Sequence, residues 1–318
     1  MLGDLLCAIP LLRALRRGVP QAKITLVGLG WARELSARFA AYVDDFLELP
    51  GFPGLPEGRF DVAALPAFLA DAQAREFDLV LQAHGSGEVT NALAALLGGR
   101  RTAGFYRPGT FCPDPELFVA YAENGPEPRR LLRLAEHLGV EAAGDELEFP
   151  FQDRDRAELE GLDEARTLRP GKYVCVHPGA RLESRRWSAE RFAAVADGIA
   201  ERGFQVVLTG SEGEQDVVAR VAAAMHRQAI DLSGRTTLGA LAALLAGARL
   251  LVCNDTGVSH LAAALRVPSV VVFSASEPAR WAPVDASRHR VVTADRARAE
   301  IVLGEAEDAL GGEVSVGV

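Results

Sequence analysis

The sequence predicts an α/β fold with two doubly wound domains, each built on a parallel β-sheet. Short β-branched runs alternate with longer Ala- and Leu-rich stretches of helical period, and this alternation is typical of parallel sheets covered by helices on both faces. The strand-like runs of the second half are almost continuously apolar, as strands covered on both faces must be. A length of 318 residues accommodates two domains of ordinary size.

The first half begins with a helical pattern over Leu5–Arg17, which only Met1–Asp4 precede. Because a doubly wound domain normally opens with a strand, we expect the first strand of this domain to be missing from the chain. The rest of the first half predicts strands at Lys23–Val27, Asp44–Leu49, Phe77–Gln82 and Arg101–Phe105, and helices at Ala32–Ala41 and Val89–Leu97.

The second half continues the same alternation. Its predicted strands are Tyr173–His177, Gln205–Thr209, Ala229–Leu232, Leu250–Asn254 and Ser269–Phe273, and its predicted helices are Ala189–Arg202, Glu212–Met225 and Leu238–Ala246. Between Phe149 and Lys172 a charged stretch is enclosed by Pro150 and by Pro170-Gly171, which marks a domain boundary. We therefore predict one domain at residues 1–160 and a second at residues 161–318.

Composition and charge exclude several classes of protein. A net charge of −9 and a pI near 5.3 argue against a general nucleic-acid binder, so an anionic ligand must meet a local basic site. No apolar run reaches the roughly 18–20 residues that span a bilayer, and Met1–Asp4 lacks the basic start of a secretory signal. We expect a cytoplasmic protein.

Cysteine spacing and motif spacing exclude further classes of site. The four cysteines are scattered, with no C-x-x-C pair and no His at zinc-ligand spacing, so we expect neither a metal nor a disulfide. There is no P-loop, and Gly28-Leu29-Gly30 lacks the third glycine of a dinucleotide fingerprint because Arg33 stands there. Ser86 and Ser211 lack the glycine of a nucleophile elbow. Asp153-Arg154-Asp155 imitates a metal motif but does not come after a strand, so we discount it.

Ligands of open α/β sheets bind beyond the carboxyl ends of the strands, and polar clusters stand directly after four predicted strands of the second half. These clusters are His177-Pro178-Gly179-Ala180 with Arg181, Arg185 and Arg186; Thr209-Gly210-Ser211-Glu212 with Glu214; Asn254 to His260; and Phe273 to Pro278. If the strands are parallel, all four clusters lie at one edge of the sheet.

The segment Asp255–His260 is the most informative of these clusters. Asp255 or Asn254 would cap the next helix, and the N–H groups of Thr256 and Gly257 would form an anion site at its positive end. The alternative is an N-cap worth about 1 kcal/mol with no ligand. A simple cap would not explain the polar residues Ser259 and His260 in the same turn. The neighbouring arginines also favour a phosphate ligand over a cap without a ligand.

The other clusters also have purely structural interpretations. The arginines fit a solvated loop, His177-Pro178-Gly179 fits a turn, and Glu212 and Glu214 are acids that favour the start of a helix. Trp187 could anchor the next helix, with Ser188 as its cap. The convergence of these groups on one edge favours a ligand site, in which the two glutamates could accept ribose hydroxyls.

In the first half, Asp4 stands at the start of the first predicted helix, where it could cap the helix or act as a general base. His84-Gly85-Ser86 comes after a predicted strand and therefore lies on a ligand-facing edge.

Four segments in this order resemble those of a known family. They are Gly3-Asp4-Leu5-Leu6 with Pro10-Leu11-Leu12-Arg13-Ala14-Leu15; His177-Pro178-Gly179 with Arg185-Arg186-Trp187-Ser188; Asp255-Thr256-Gly257-Val258-Ser259-His260 with Leu261-Ala262-Ala263-Ala264; and Glu277-Pro278-Ala279-Arg280-Trp281-Ala282-Pro283. The chain resembles glycosyltransferase family 9, the heptosyltransferases of lipopolysaccharide core assembly.

The resemblance implies a GT-B fold, with two Rossmann-like domains that face each other across a cleft. It implies an inverting, metal-independent glycosyltransferase without a cofactor. Its donor would be a nucleoside-diphosphate sugar, ADP-heptose in the best-known members, and its acceptor a lipopolysaccharide-core, glycan or lipid-linked molecule bound by the first domain. A lipid-linked acceptor would be compatible with peripheral association at the inner face of the cytoplasmic membrane.

The resemblance also implies roles for individual residues. Asp4 would be the general base, and Arg186, at a position where many relatives carry Lys, would neutralise the leaving diphosphate beside Arg185. The remaining donor-site candidates are Asp255, Thr256, Gly257, Ser259 and His260 near the phosphates, and His177, Gly179, Thr209, Gly210, Glu212 and Glu214 near the nucleotide. Independently of the resemblance, the basic positions Arg100, Arg101, Arg129, Arg130 and Arg133 fit solvated side chains, although an anionic acceptor could use them.

Two alternative functions remain open. One is a GT-B protein that binds a nucleotide sugar without transferring it, because catalysis is lost with the first strand. The other is a GT-B nucleotide-sugar epimerase, which would act on a nucleotide sugar without any acceptor.

Overall fold

The computed structural model describes residues 1–311 and divides into two compact units, Met1–Glu146 and the chain from Leu147 onward. Every strand pairing within the described residues is parallel. The division precedes the predicted limit at residue 160, because the helix Asp153–Glu160 packs on Leu238–Gly247 of the second unit.

The first unit contains five helices and five strands. Its helices are α1 Leu2–Gly18, α2 Ala32–Arg38, α3 Leu65–Ala74, α4 Thr90–Leu96 and α5 Glu127–His137. Its strands are β1 Thr25–Gly28, β2 Asp45–Glu48, β3 Leu79–Gln82, β4 Arg101–Tyr106 and β5 Phe118–Ala120. The prediction missed α3, α5 and β5, and it began α1 three residues late.

The strands of the first unit form two separate sheets, with orders β1-β2 and β3-β4-β5. β1 is only half-buried along its whole length, and Leu79 of the edge strand β3 is 41% exposed. A parallel strand inside a covered sheet is normally buried on both faces, so β1 and β3 have the burial of sheet edges. The missing first strand stays a prediction.

Helix α1 is held on the first unit by apolar packing and by hydrogen bonds from Arg13 and Arg16. Cys7, Leu11 and Ala14 share a buried cluster with side chains of α5. At the other end of the helix, Arg16 donates to Ala22 O at 2.7 Å and to the Asp44 carboxylate at 2.5 Å. Arg16 also lies in the last turn, where a cation complements the helix dipole.

Up to residue 311, the second unit contains six strands in one sheet. The strands are β6 Tyr173–His177, β7 Gln205–Leu208, β8 Ile230–Asp231, β9 Leu250–Asn254, β10 Ser269–Phe273 and β11 His289–Thr293. The helices are α6 Asp153–Glu160, α7 Ala189–Glu201, α8 Gln215–Ala224, α9 Leu238–Gly247, α10 Gly257–Ala264, α11 Pro278–Trp281 and α12 Ala299–Gly311. The sheet order is β11-β10-β9-β6-β7-β8.

The three central strands of this sheet were predicted with their observed bounds. β6, β9 and β10 are buried at every residue, so their apolar runs stand out in the sequence. β11 and the helices α6, α11 and α12 were missed, and the predicted helix Glu212–Met225 begins with a 3-10 turn before α8. The stretch Asp153–Asp155, which was discounted as a metal motif, opens α6, where Asp155 accepts from Gln152 N at 2.9 Å.

Trp187 anchors α7 on the core, as predicted. Its ring packs edge-on against Phe192 with centroids 5.1 Å apart, and its Nε1 donates to Ala297 O at 3.1 Å. Ser188 caps α7 by accepting from Arg191 N at 3.4 Å. The segment that precedes this helix therefore has a fixed path at the carboxyl edge of the sheet.

His289 provides a stability prediction. It is buried at the first residue of β11, where its Nδ1 lies 2.8 Å from Ser269 Oγ of β10. Burial lowers the pKa of His289 to about 4 although Asp285 opposes the shift, and Arg288 and His260 lower it further. Because an unfolded histidine has a pKa of about 6.5, the unfolded chain takes up a proton as the pH falls from 6.5 to 4, and the folded chain becomes less stable over that window.

We predict that His289→Gln removes the part of the pH dependence of stability that comes from His289. Between pH 7 and pH 4.5 the wild type should lose about 2–3 kcal/mol more unfolding free energy than the variant, as measured by urea denaturation at both pH values. Other titrating groups are common to both proteins and cancel in the comparison. An identical pH dependence in the two proteins would mean that His289 is not held neutral by burial.

Candidate donor-binding site

The carboxyl ends of β9, β6 and β7 lie side by side, since these strands are neighbours in a parallel sheet. Cys253 of β9 pairs in register with His177 of β6, and Val176 pairs with Leu208 of β7. The prediction that these polar clusters share one edge is confirmed.

Asn254 ends β9 and is completely buried. Its Oδ1 accepts from Trp187 N at 3.0 Å, and its Nδ2 donates to Pro178 O at 2.8 Å. One amide therefore ties the beginning and the end of the segment between β6 and α7 to the central strand. That segment carries the predicted arginine cluster.

Helix α10 begins at Gly257 with Thr256 as its N-cap residue, and no side chain of the described residues caps it. The prediction that Asp255 or Asn254 would cap this helix is wrong, because both side chains are engaged elsewhere. Ser259 Oγ donates to Thr256 O at 2.7 Å. The first-turn N–H groups that side chains leave uncapped form the kind of terminus that binds anions.

Arg185 lies beside this helix terminus. Its Nη1 is 3.2 Å from Asp255 Oδ2, and the Asp255 side chain is only 3% exposed. Arg186 is directed elsewhere, with its Nε donating to Ala180 O at 2.7 Å. Arg181 is exposed in the preceding loop. The arrangement places Arg185 beside α10, whereas the resemblance had given the diphosphate to Arg186.

A second polar group joins the ends of β6 and β7. His177 is buried, its Nδ1 lies 3.0 Å from the hydroxyl of Thr209, and its Nε2 lies 3.7 Å from Glu214 Oε2. Glu214 Oε2 also accepts from Ser211 N at 2.8 Å and from the Ser211 hydroxyl at 2.7 Å. A Cβ at Gly179 would clash with the Glu214 carboxylate, so only glycine leaves this carboxylate in place.

The pKa values of both His177 and Glu214 are lowered. Burial lowers the pKa of His177 although Glu214 opposes the shift. Burial raises the pKa of Glu214, but His177, the hydrogen bonds from Ser211 and the charge of Arg186 together lower it. The site therefore presents a carboxylate next to a neutral imidazole at neutral pH.

The remaining nucleotide candidates differ in their placement. Glu212 is exposed on the 3-10 turn Glu212–Glu214. Gly210 lies just beyond β7, and its carbonyl accepts from Gly234 N at 2.8 Å. Of the two glutamates, the structure places Glu214 beside His177.

His260 lies in the first turn of α10 and is 4% exposed. Its ring is edge-on to Trp281 of α11, with centroids 6.1 Å apart, and the guanidinium of Arg280 lies 4.5 Å above the Trp281 ring. The sequence showed Trp281 only as part of a motif and gave it no role. A tryptophan next to an arginine on a short segment after a buried strand is the signal that could have found it.

Asp4 of the first unit lies in the first turn of α1. Its Oδ2 is 3.2 Å from the amino group of Met1, and its side chain is 25% exposed. His84, after β3, has its Nε2 3.5 Å from Glu57 Oε1. The role of Asp4 as general base stays a prediction.

The basic positions predicted for an anionic acceptor are mostly engaged with carboxylates. Arg100 and Arg101 stand at the start of β4, away from its carboxyl end, and pair with acidic side chains at 3.1 and 2.7 Å. Arg129 pairs with Asp145 at 2.6 Å, and Arg130 is buried against Glu127. Arg133, in contrast, is exposed on α5. Arg100, Arg101 and Arg129 are therefore solvated, as expected, whereas Arg130 is buried and is not. The use of the exposed positions by an anionic acceptor stays a prediction.

Within residues 1–311 no group of three or more His, Cys, Asp or Glu side chains is placed to hold a metal ion. Cys7, Cys112, Cys175 and Cys253 are free thiols, and burial raises the pKa of Cys253 well above its usual value. No helix in the same range is long and apolar enough to cross a membrane.

Solved structures of other proteins share this fold. A family 9 glycosyl transferase from Veillonella parvula DSM 2008 gives a TM-score of 0.81 at 22% identity, covering 98% of this chain and 94% of that one. The E. coli heptosyltransferase WaaC with ADP gives a TM-score of 0.73 at 21% identity, covering 97% of each chain. The chain therefore has the GT-B fold of glycosyltransferases.

The chain belongs to glycosyltransferase family 9 (heptosyltransferase), whose model matches residues 73–308. The lipopolysaccharide heptosyltransferase 3 of Escherichia coli (strain K12) is 25% identical over 297 residues, which are 88% of this chain and 82% of that protein. The region matched by the family model includes the donor-side residues but not Asp4.

We predict that Asn254→Ala lowers the unfolding free energy by about 2–4 kcal/mol, because it leaves the buried Trp187 N–H and Pro178 C=O without their partner. Chemical denaturation measures the loss. Asn124→Ala is the matched control, since Asn124 is exposed, and should change stability by less than about 0.5 kcal/mol. Equal effects of the two substitutions would show that the Asn254 amide does not hold the segment.

Proposed function

We propose that this chain transfers heptose from ADP-heptose to a lipopolysaccharide-core or other lipid-linked glycan acceptor, with inversion at the anomeric carbon and without a metal ion. The observation that carries the proposal is the uncapped N-terminus of α10 beside Arg185, held by the buried Asp255. Both features favour a diphosphate. The relatives supply the sugar and the nucleotide, since one is named a lipopolysaccharide heptosyltransferase and another was solved with ADP.

The diphosphate is the leaving group, so negative charge grows on it as the glycosidic bond breaks. The N–H groups of Thr256 and Gly257 at the positive end of α10 and the guanidinium of Arg185 stabilise that charge. A preorganised donor of this kind is typically worth about 3–4 kcal/mol in the transition state. Arg185 contacts Asp255 through Nη1, so its remaining N–H groups can turn toward the phosphates when the donor binds.

The nucleoside lies toward β7, on the other side of His177. There the Glu214 carboxylate accepts hydrogen bonds from the ribose hydroxyls, and the neutral His177 and Thr209 fix its orientation. Gly179 leaves room for that carboxylate. Arg186 acts indirectly, because its charge helps to keep Glu214 ionised.

The chemical step is a single displacement at the anomeric carbon. An acceptor hydroxyl oxygen forms the new bond from the face opposite the diphosphate, the bond to the phosphate oxygen breaks, and one inversion results. Asp4 takes the proton of the hydroxyl. A positioned base of this kind contributes about 10²–10⁴-fold to the rate.

Charged side chains near the carboxyl ends of β3, β4 and β5 bear on the acceptor. Arg107 bridges Glu88 and Glu123 at 3.3 and 3.1 Å, and His84 lies 3.5 Å from Glu57. Carboxylates outnumber cations among these five side chains. Such a surface binds neutral sugar hydroxyls better than phosphate or carboxylate groups.

We predict that ADP stabilises the protein more than UDP, GDP or CDP. At a concentration of about one hundred times its Kd, ADP should add about 2.7 kcal/mol to the unfolding free energy, which a thermal-shift titration detects. No stabilisation by any nucleoside diphosphate would contradict the nucleotide-sugar proposal. Stronger stabilisation by another nucleoside diphosphate would support the donor site but would indicate a donor with a different base.

We predict that Arg185→Ala weakens ADP binding by about 10- to 100-fold, since a hydrogen bond to a charged group contributes about 1.5–3 kcal/mol. Arg186→Ala is the matched control and should weaken binding less, because its guanidinium is directed to Ala180 O. Isothermal titration calorimetry measures both. A larger loss from Arg186→Ala would restore the role that the family resemblance implies.

We predict that Asp4→Ala abolishes sugar transfer while the Kd for ADP stays within about threefold, because a general base acts in the chemical step. Product analysis with ADP-heptose separates the alternatives. Product formation without any acceptor would indicate an epimerase, and ADP binding without transfer would indicate a binding protein. Transfer should persist in EDTA, and its loss would contradict the metal-independent mechanism.

A further inference from the structure

Trp281 has a contact that links two elements at the carboxyl edge of the second sheet. It ends α11, which comes after β10, and its indole is edge-on to the imidazole of His260 in the first turn of α10. The two rings are 6.1 Å apart and inclined by 74°. This is a favourable geometry for an aromatic pair.

The Trp281 ring is itself fixed from two sides. The guanidinium of Arg280 stacks over it at 4.5 Å, an attractive arrangement because the ring face is negative. The backbone of α11 is closed by Trp281 N donating to Glu277 O at 3.1 Å and by Ala282 N donating to Pro278 O at 2.9 Å. The hydrogen bonds hold the backbone of α11, and turning the indole away from His260 would break its contact with Arg280.

His260 needs such support because of its place in the site. It stands in the same helical turn as Gly257 and Ser259, at the terminus where the diphosphate is proposed to bind. An imidazole that can change its rotamer would spend part of its time out of contact with the donor. The edge-on indole of Trp281 restricts the rotamers of His260.

We propose that Trp281 is a positioning residue that holds His260 toward the donor diphosphate at the N-terminus of α10. This inference rests on the proposed function, since it takes the ligand at that terminus to be the diphosphate of the donor. Trp281 itself is assigned no contact with the donor. Its effect on binding should therefore depend on the presence of His260.

A double-mutant cycle on ADP affinity tests this dependence. Trp281→Ala should weaken ADP binding by about 3- to 10-fold, which corresponds to the worth of one aromatic pair. In a His260→Ala background the same substitution should change the Kd by less than about twofold, because coupled residues are not additive. Trp281→Phe keeps an aromatic ring and should bind ADP within about twofold of the wild type.

Tryptophan fluorescence gives a second readout. The chain has three tryptophans; Trp31 is exposed in the first unit, and Trp187 is buried in the core of the second. ADP should change the emission of the wild type and of Trp31→Phe. The change should disappear in Trp281→Phe although that variant still binds ADP by calorimetry.

The outcomes separate this inference from the proposed function. If the wild type does not bind ADP, the proposed function fails and this inference fails with it. If the wild type binds ADP but Trp281→Ala weakens binding equally with and without His260, only the positioning role is overturned. Should Trp281→Ala not fold, Trp281→Leu replaces it in the cycle and is judged by the same criterion.

Discussion

The amide of Asn254 is the interaction on which the donor site depends. It ends the fully buried β9 and binds backbone groups at both ends of the segment between β6 and α7. Because that segment carries Arg185, the two hydrogen bonds of this amide fix the backbone from which Arg185 reaches Asp255. A buried amide can do this without adding a charge that would compete with the ligand.

Charge in this acidic chain is arranged locally. Asp255 is buried and would be costly to ionise alone, but its pairing with Arg185 holds a cation at the terminus of α10. Asp255 and Arg185 neutralise each other while no anionic ligand is bound. Arg185 contacts Asp255 through Nη1, so its other N–H groups can donate to a diphosphate while Asp255 keeps its partner.

The sequence could predict strands that form continuous buried apolar runs. It could not predict features that depend on contacts between residues far apart in the chain. β6, β9 and β10 were located because every residue in them is buried. The cap on α10 was misassigned because the partner of Asp255 lies 70 positions away, which no local pattern reveals. β5 was missed because three residues carry little periodicity. β11 was missed because polar residues stand at both of its ends and interrupt the apolar run.

The two adjacent arginines show the same limit of local sequence patterns. Arg185 and Arg186 have the same charge and the same motif, so sequence alone cannot say which faces the phosphate. The 3-10 turn Glu183–Arg185 ends between them, and the chain then becomes extended, which directs one guanidinium to Asp255 and the other to Ala180 O. The end of this turn therefore decides which of the two arginines lies beside α10.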